Sequence, residues 1–311
     1  MSGDRVLVTC PPMLRMMDLF RNEFSRRGAQ LHCPEVTQTL SEDQLVSLVP
    51  GFDGWIIGDD PASARVLQAG RRGRLRAAVK WGVGIDNVDM KAAQALGVPV
   101  VNTPRMFGRE VADLAFAYLV ALAREFVSID SGVRAGGWPK PRGISLAGRT
   151  LGLAGLGDIG MNLARRARAA DMAIIGYDPE VKSAVEGMER ALWPQRIEEC
   201  DFLAFTCALT PSSRHMLDAQ VLARAKPGVR VVNVARGPLI DESALVDGLA
   251  SGRVHSAALD VFENEPLPLD SPLRGTGRCL FGSHNGSNTE DAVRRASERA
   301  IELLFGLLAK P

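Results

Sequence analysis

Residues Thr150–Asp178 read TLGLAGLGDIGMNLARRARAADMAIIGYD, and the fold of the whole chain follows from how this stretch is taken. An apolar run, Thr150–Ala154, ends in Gly155-Leu156-Gly157-Asp158-Ile159-Gly160. A helical stretch follows, and then a second apolar run that stops at Asp178. Strand, glycine turn, helix, strand and an acid about 20 residues beyond the turn form the pattern that wraps a dinucleotide. Each glycine has its own task. Gly155 permits the tight turn, Gly157 has no Cβ to block a pyrophosphate, and Gly160 lets the helix lie close to the strand. The helix N-terminus offers free N–H groups to phosphate oxygens. Asp178 would accept hydrogen bonds from the adenosine ribose hydroxyls and repel a 2′-phosphate, so NAD is expected rather than NADP.

The same alternation extends outward in both directions. RVLVTC (5–10), WIIG (55–58), RAAVKW (76–81) and VPVVNTP (98–104) read as strands bounded by Gly, Pro or Asp. Between them SEDQLVSLV, SARVLQAG and DMKAAQALG have helical spacing and stop at Gly or Pro. Strands alternating with helices give parallel sheets covered on both faces. A long helix, Gly108 to about Val133, separates the first set of units from the second. A final helix, Thr289–Leu308, has no strand after it and is expected to return to the first domain. At 311 residues the chain exceeds what one hydrophobic core usually serves. The expectation is an α/β protein of two doubly wound, Rossmann-like parallel-sheet domains with the active-site cleft between them. Residues 1–103, completed by 285–311, would form the substrate domain, and residues 104–284 the NAD-binding domain.

Composition excludes several other classes. Apolar residues make up 46% and charged residues 23%, with 37 basic against 36 acidic side chains. A net charge of +1 gives no electrostatic pull toward nucleic acid or an acidic membrane, and neither is expected as a partner. Cys10, Cys33, Cys200, Cys207 and Cys279 are scattered, with no CxxC pair. That argues against a metal site or disulfide framework and for a reducing, cytoplasmic setting. The opening MSGDRVLVTCPP has too short an apolar run for a signal peptide and reads as a first strand.

Three further segments carry chemistry: VVNVARGPLIDESAL, ALDVFENEPLP and SHNGSNT. The first two follow apolar runs, so Arg236 and Glu265 lie just past strand ends, where open α/β sheets bind ligands. Arg236 would hold a substrate carboxylate through a two-pronged, charge-assisted contact. His284 would take the hydroxyl proton as hydride leaves, and return it in the reverse direction. Glu265 would orient the imidazole, fix its tautomer and favour its protonated form. Spacing alone does not bring the three together.

Across KWGVGIDNVDM, VPVVNTPRMFGREVADLAFAYLVALAR, NVARG, DVFENEP and the last histidine block, the chain resembles the D-isomer-specific 2-hydroxyacid dehydrogenases, in particular their D-3-phosphoglycerate-dehydrogenase-like branch. The resemblance implies an NAD-dependent oxidoreductase that interconverts a small D-2-hydroxy acid and its 2-keto acid, working as a homodimer. It assigns catalysis to Arg236, Glu265 and His284. It extends the cofactor contacts to Asp158 and Ile159 after the phosphate turn, to Cys207 on the adenine side, and to Val234, Ala235 and Asp260 beside the nicotinamide, where Arg236 and His284 also lie. It also implies a substrate cradle: the backbone N–H groups of Val83 and Gly84, backed by Lys80, with Asn102 and Arg105 nearby. Two departures matter. Phosphoglycerate enzymes usually carry an arginine after the third strand to grip the phosphate, whereas Gly58, Asp59 and Asp60 stand here, and acids would repel it. After the histidine, Asn285 replaces the usual apolar residue and offers a polar contact to the nicotinamide amide. A second reading of the same residues is a non-enzymatic, NAD(H)-sensing partner-binding protein. Formate oxidation is set aside, because it expects glutamine where Glu265 stands.

Overall fold

The computed structural model describes residues 3–181, 183 and 185–309. The chain divides into two compact units, Met1–Phe107 with Asn288–Pro311, and Gly108–Ser287. Each is a doubly wound parallel sheet.

In the first unit five strands, β1 (Arg5–Val8), β2 (Gln30–His32), β3 (Gly54–Ile57), β4 (Ala77–Lys80) and β5 (Val100–Asn102), lie in the order β2-β1-β3-β4-β5. All pair in parallel. Val6–Val8, Trp55–Ile57 and Ala77–Val79 are completely buried, as strands covered by helices on both faces must be. The order reverses between β1 and β3, so the loops after these two strands border the crevice where such sheets bind ligands. The helix Glu290–Leu308 belongs to this unit and packs on β3 and β4. Thr289 starts it, its hydroxyl accepting the Ala292 N–H. Gly54 makes the close approach possible, since a Cβ there would lie 3.1 Å from both Leu304 and Leu308.

In the second unit β6 (Thr150–Ala154), β7 (Ala173–Tyr177), β8 (Glu189–Arg190), β9 (Phe202–Phe205), β10 (Val229–Asn233), β11 (Val254–Leu259) and β12 (Cys279–Phe281) form one sheet. The order is β12-β11-β10-β9-β6-β7-β8, with the switch point between β6 and β9. Its core, with Phe202, Leu203, Phe205, Val231, Ala257 and Leu259 all but fully buried, holds the strand ends in fixed register.

The single helix expected from Gly108 to Val133 is instead two, Gly108–Ala123 and Phe126–Arg134. The chain breaks at Glu125, which takes a left-handed φ of 58°. The cause lies far away in sequence. Arg230 on β10 is buried, donates to the Leu122 carbonyl (3.2 Å) and pairs with the Glu125 carboxylate (3.4 Å), ending the first helix there. His255 joins Glu125 from β11 at 3.5 Å. No helix among the described residues is long and apolar enough to cross a membrane.

Candidate active site

The glycine turn follows β6 at the switch point. Gly155 has φ +96°, a conformation that L side chains rarely adopt, and its Cα faces the Cys207 backbone after β9. Thr206 locks this arrangement, its hydroxyl donating to the carbonyls of Ala154 (3.1 Å) and Gly155 (2.8 Å). Sequence reading passed over Thr206, although its place ahead of Cys207 in TCALTP was the available signal. A Cβ on Gly160 would run into the Gly155 carbonyl, so the helix Asp158–Ala169 starts as close to the strand as its glycine allows. Gly157 is different: a Cβ there would meet nothing within 4 Å. An uncrowded glycine at the N-cap of a twelve-residue helix leaves the approach to the helix N-terminus open, and this fits a pyrophosphate.

Asp158 directs its carboxylate toward Gly108 and accepts from the Asn162 amide, so what it and Ile159 present at the turn is backbone. Asp178 lies just past β7. One carboxylate oxygen accepts the Leu156 N–H (2.8 Å) and the other the Glu180 N–H (2.9 Å), which aligns the acid with the turn. Cys207 packs its sulfur 3.7 Å from that of Met216, and burial pushes its thiol up to about 11. It is a packed thiol rather than a nucleophile.

Val234 and Ala235, both buried, follow β10, and Arg236 comes next in extended backbone. Asn233 fixes this exit: its amide donates to the Arg236 carbonyl (2.8 Å), and its side-chain oxygen accepts the Ala235 N–H (3.1 Å). The guanidinium of Arg236 donates back to the Ala235 carbonyl (2.8 Å).

Glu265 and His284 meet. His284 Nδ1 and Glu265 Oε2 are 2.7 Å apart, and about a quarter of each side chain is exposed. An ionised carboxylate only accepts, so Nδ1 carries the hydrogen of this bond. The other carboxylate oxygen, Oε1, accepts the Phe262 N–H at 2.9 Å, which fixes the direction of the acid. His284 sits on a turn with φ +54°. Beneath it Asp260, 2% exposed, accepts the N–H of Asn285 (3.1 Å) and Gly286 (2.8 Å), and its own carbonyl accepts the His284 N–H (2.6 Å). Gly282 and Gly286 make room for that carboxylate. The small residues around the histidine thus close a tight turn over a buried acid. Asp260, expected beside the nicotinamide, holds the turn that carries His284 in shape.

In the first unit Lys80 is almost fully buried, and its ammonium reaches Asp59 (3.1 Å) and the Trp81 carbonyl (2.9 Å). The turn after β4 is tied to β5 by the Asn102 amide, which donates to the Val83 carbonyl (2.7 Å), and by the Gly82 N–H, which donates to the Thr103 hydroxyl (2.9 Å). Arg105 is exposed, with a left-handed φ of 59°. The two acids after β3 do not play the same part. Asp59 faces Lys80, but Asp60 is entirely buried and accepts from Thr9, the Leu40 N–H and the Gly58 N–H. Asp60 pins loops together and adds nothing to the surface charge.

Residues 116–286 match the family model described as D-isomer specific 2-hydroxyacid dehydrogenase, NAD binding domain. A hydroxypyruvate reductase of Thermotoga maritima is 36% identical over 278 residues, covering 87% of this chain and 90% of that protein. A D-3-phosphoglycerate dehydrogenase of Methanocaldococcus jannaschii is 36% identical over 287 residues, covering 89% of this chain but only 54% of that protein, so the chain spans about half of its length. Among solved structures, a glyoxylate reductase from Paecilomyes thermophila superposes with a TM-score of 0.84 at 26% identity, covering 100% of this chain and 97% of that one. With a glycine turn that fits a dinucleotide, an acid at the next strand tip and a histidine–carboxylate pair on the same sheet edge, the chain belongs to the D-isomer-specific 2-hydroxyacid dehydrogenase family and is an NAD-dependent oxidoreductase acting on CH–OH donors.

Proposed function

We propose that the enzyme interconverts a small, unphosphorylated D-2-hydroxy acid and its 2-keto acid, with Arg236, Glu265 and His284 at the reacting end. The observation that carries this reading is the His284–Glu265 hydrogen bond of 2.7 Å. NAD supplies the acceptor or donor of hydride at C2. With Nδ1 of His284 committed to Glu265, the proton exchanged with the substrate oxygen is assigned to Nε2. In oxidation the O–H proton passes to Nε2 as hydride leaves C2, and in reduction Nε2–H returns it as hydride arrives. Glu265 stabilises the imidazolium and keeps the ring in one orientation. Arg236 is assigned to the substrate carboxylate, with the N–H groups of Val83 and Gly84 and the side chains of Lys80 and Arg105 as further anion contacts. The cofactor contacts are assigned to Gly155, Gly157, Asp158, Ile159, Gly160 and Asp178 on the adenosine and phosphate side, and to Val234, Ala235, Arg236, Asp260 and His284 on the nicotinamide side.

The preference for an unphosphorylated acid rests on charge. Lys80, the buried cation near the proposed cradle, is paired with Asp59, the one acid of the loop after β3 that reaches the surface, and that carboxylate would repel a phosphate placed beside it. The names of the hydroxypyruvate and glyoxylate reductases suggest those two keto acids, and pyruvate is a further small acid of the same class. Following NADH absorbance with these three and with phosphohydroxypyruvate tests the reading. Turnover of an unphosphorylated acid to its D product, faster with NADH than NADPH, is expected. Turnover restricted to the phosphorylated acid, or faster with NADPH, would contradict it.

A homodimer and a cytoplasmic setting belong to the same proposal. The support is the exposed Phe126, Val133 and Trp138, on and just after the helix Phe126–Arg134, and five unpaired thiols. Light scattering at micromolar concentration checks the dimer, and a monomer mass would refute it.

A further inference from the structure

Beside the His284–Glu265 pair lies a second set of titratable groups that the proposed reaction does not use. Glu263, two residues before Glu265, pairs with Nε2 of His215, from the loop after β9. Its backbone N–H donates to Oε1 of Glu242 at 2.6 Å. Glu242 is the first residue of the helix Glu242–Ser251, which Asp241 caps by accepting the N–H groups of Ser243 and Ala244. That helix follows the Arg236 segment directly. Gly237 lies flush against the Phe262 carbonyl and the Glu263 nitrogen, where a Cβ would overlap both. The loop bearing His215 is laced to the same segment, the N–H groups of His215 and Leu217 donating to the carbonyls of Pro238 (2.8 Å) and Leu239 (3.1 Å).

The turn Val261–Glu265 is therefore held at its middle residue. Phe262, whose N–H aims Glu265, is the neighbour of the residue that Glu242 grips. We infer that Glu242 is a positioning residue of the proton-transfer pair, holding the turn so that Glu265 faces His284 and adding negative charge that favours the protonated ring. The Glu242 carboxylate holds the Glu263 N–H at 2.6 Å and the Glu265 carboxylate the neighbouring Phe262 N–H at 2.9 Å, so the two acids sit on adjacent amides within electrostatic reach of one another. Burial, and the negative charges of Glu263 and Glu265, raise the Glu242 carboxyl above the usual range. The groups that face it are Glu263 and Glu265 from this turn, with His215 and Asp241 alongside. The inference rests on the assignment of the proton to His284.

Two variants separate position from charge. Glu242→Gln keeps an oxygen for the Glu263 N–H but loses the charge, whereas Glu242→Ala loses both. For keto-acid reduction, Glu242→Gln is expected to keep its pH-optimum turnover within about threefold, while Glu242→Ala loses roughly ten- to a hundredfold through misplacement of the pair. In both variants the alkaline limb moves to lower pH, because a negative charge near the imidazolium is gone. Affinity for NADH and the thermal midpoint of Glu242→Gln stay at wild-type values. In a Glu265→Gln background, Glu242→Ala should cost little more, since residues acting through one another are not additive. An unmoved limb in both variants would overturn the inference, as would a Gln variant as slow as the Ala variant or an undiminished Ala effect in the Glu265→Gln background. If Glu242→Ala does not fold, the limb and turnover of Glu242→Gln decide alone. Failure of the underlying assignment would show separately, as near-normal turnover in His284→Ala.

Discussion

Glu265 is held at both oxygens, one accepting the Phe262 N–H and the other facing His284 Nδ1. Glu265→Gln preserves the size of the side chain and one of the two acceptors, but it puts an NH2 where the other stood and no longer stabilises the imidazolium. The sign follows directly: a ring that releases its proton more readily is deprotonated at lower pH. The alkaline fall of keto-acid reduction and the rise of hydroxy-acid oxidation should both shift to lower pH. Rate profiles in the two directions check this, and profiles that coincide with wild type would mean that Glu265 does not govern the proton. The places of Arg236 and Glu265 past strand ends were legible in sequence, because each follows an apolar run on the edge where such sheets bind ligands, while grouping His284 with them came from the family resemblance. What was not legible is the support beneath them. Asp260 reads as another acid at a strand end, and only the folded turn reveals that it accepts the N–H groups of Asn285 and Gly286. His215 and Glu242 were hidden for the same reason, since each acts on Glu263, which lies far away in sequence.

The unit β6–turn–helix–β7 was the most legible element, because its glycines are demanded by backbone geometry and close approach. The glycines make different demands, and that difference is testable. A Cβ on Gly160 overlaps the Gly155 carbonyl, so its constraint lies within the fold, whereas one on Gly157 overlaps nothing. Gly157→Ala should therefore keep a thermal midpoint close to wild type while NADH affinity falls by about tenfold or more, roughly 1.4 kcal/mol. Unchanged affinity by fluorescence titration would remove Gly157 from the phosphate site. At the other end of β6, Asp201 accepts the Thr150 N–H (3.0 Å) and pairs with Lys226 (2.7 Å) and Arg149 (3.4 Å). Burial pushes its carboxyl up, but these partners outweigh burial and hold it below the usual range. A depressed carboxyl contributes stability that is present above its unfolded value, about 3.9, and is lost as pH falls through the folded one. Asp201→Asn should thus cost about 1–2 kcal/mol at neutral pH, with the gap to wild type closing below about pH 4. A gap in denaturant midpoints that stayed constant with pH would contradict the ion-pair account. The break at Glu125 shows where element reading stops. Apolar periodicity runs through residues 108–133, and the interruption is imposed by Arg230 and His255 from strands much later in the chain.

At the scale of the whole molecule, both sheets are doubly wound, and the strand order of each puts a switch point where loops can bind ligands. The alternation of strands and helices made this readable. The short β2 and β8 were not singled out, since two or three residues of a strand carry no periodicity to read. The glycine turn, Asp178, Arg236 and the His284–Glu265 pair all belong to the unit Gly108–Ser287. In the proposed reaction this unit binds NAD and exchanges the substrate proton through His284, and the two roles can be separated in one comparison. Wild type and His284→Ala are assayed for keto-acid turnover at saturating NADH, and NADH affinity is titrated for each. Turnover should fall by roughly 10²–10⁴ with NADH affinity nearly unchanged, as for loss of a general acid–base group. Near-normal turnover in His284→Ala, or a loss of NADH affinity that accounts for the whole effect, would contradict the account.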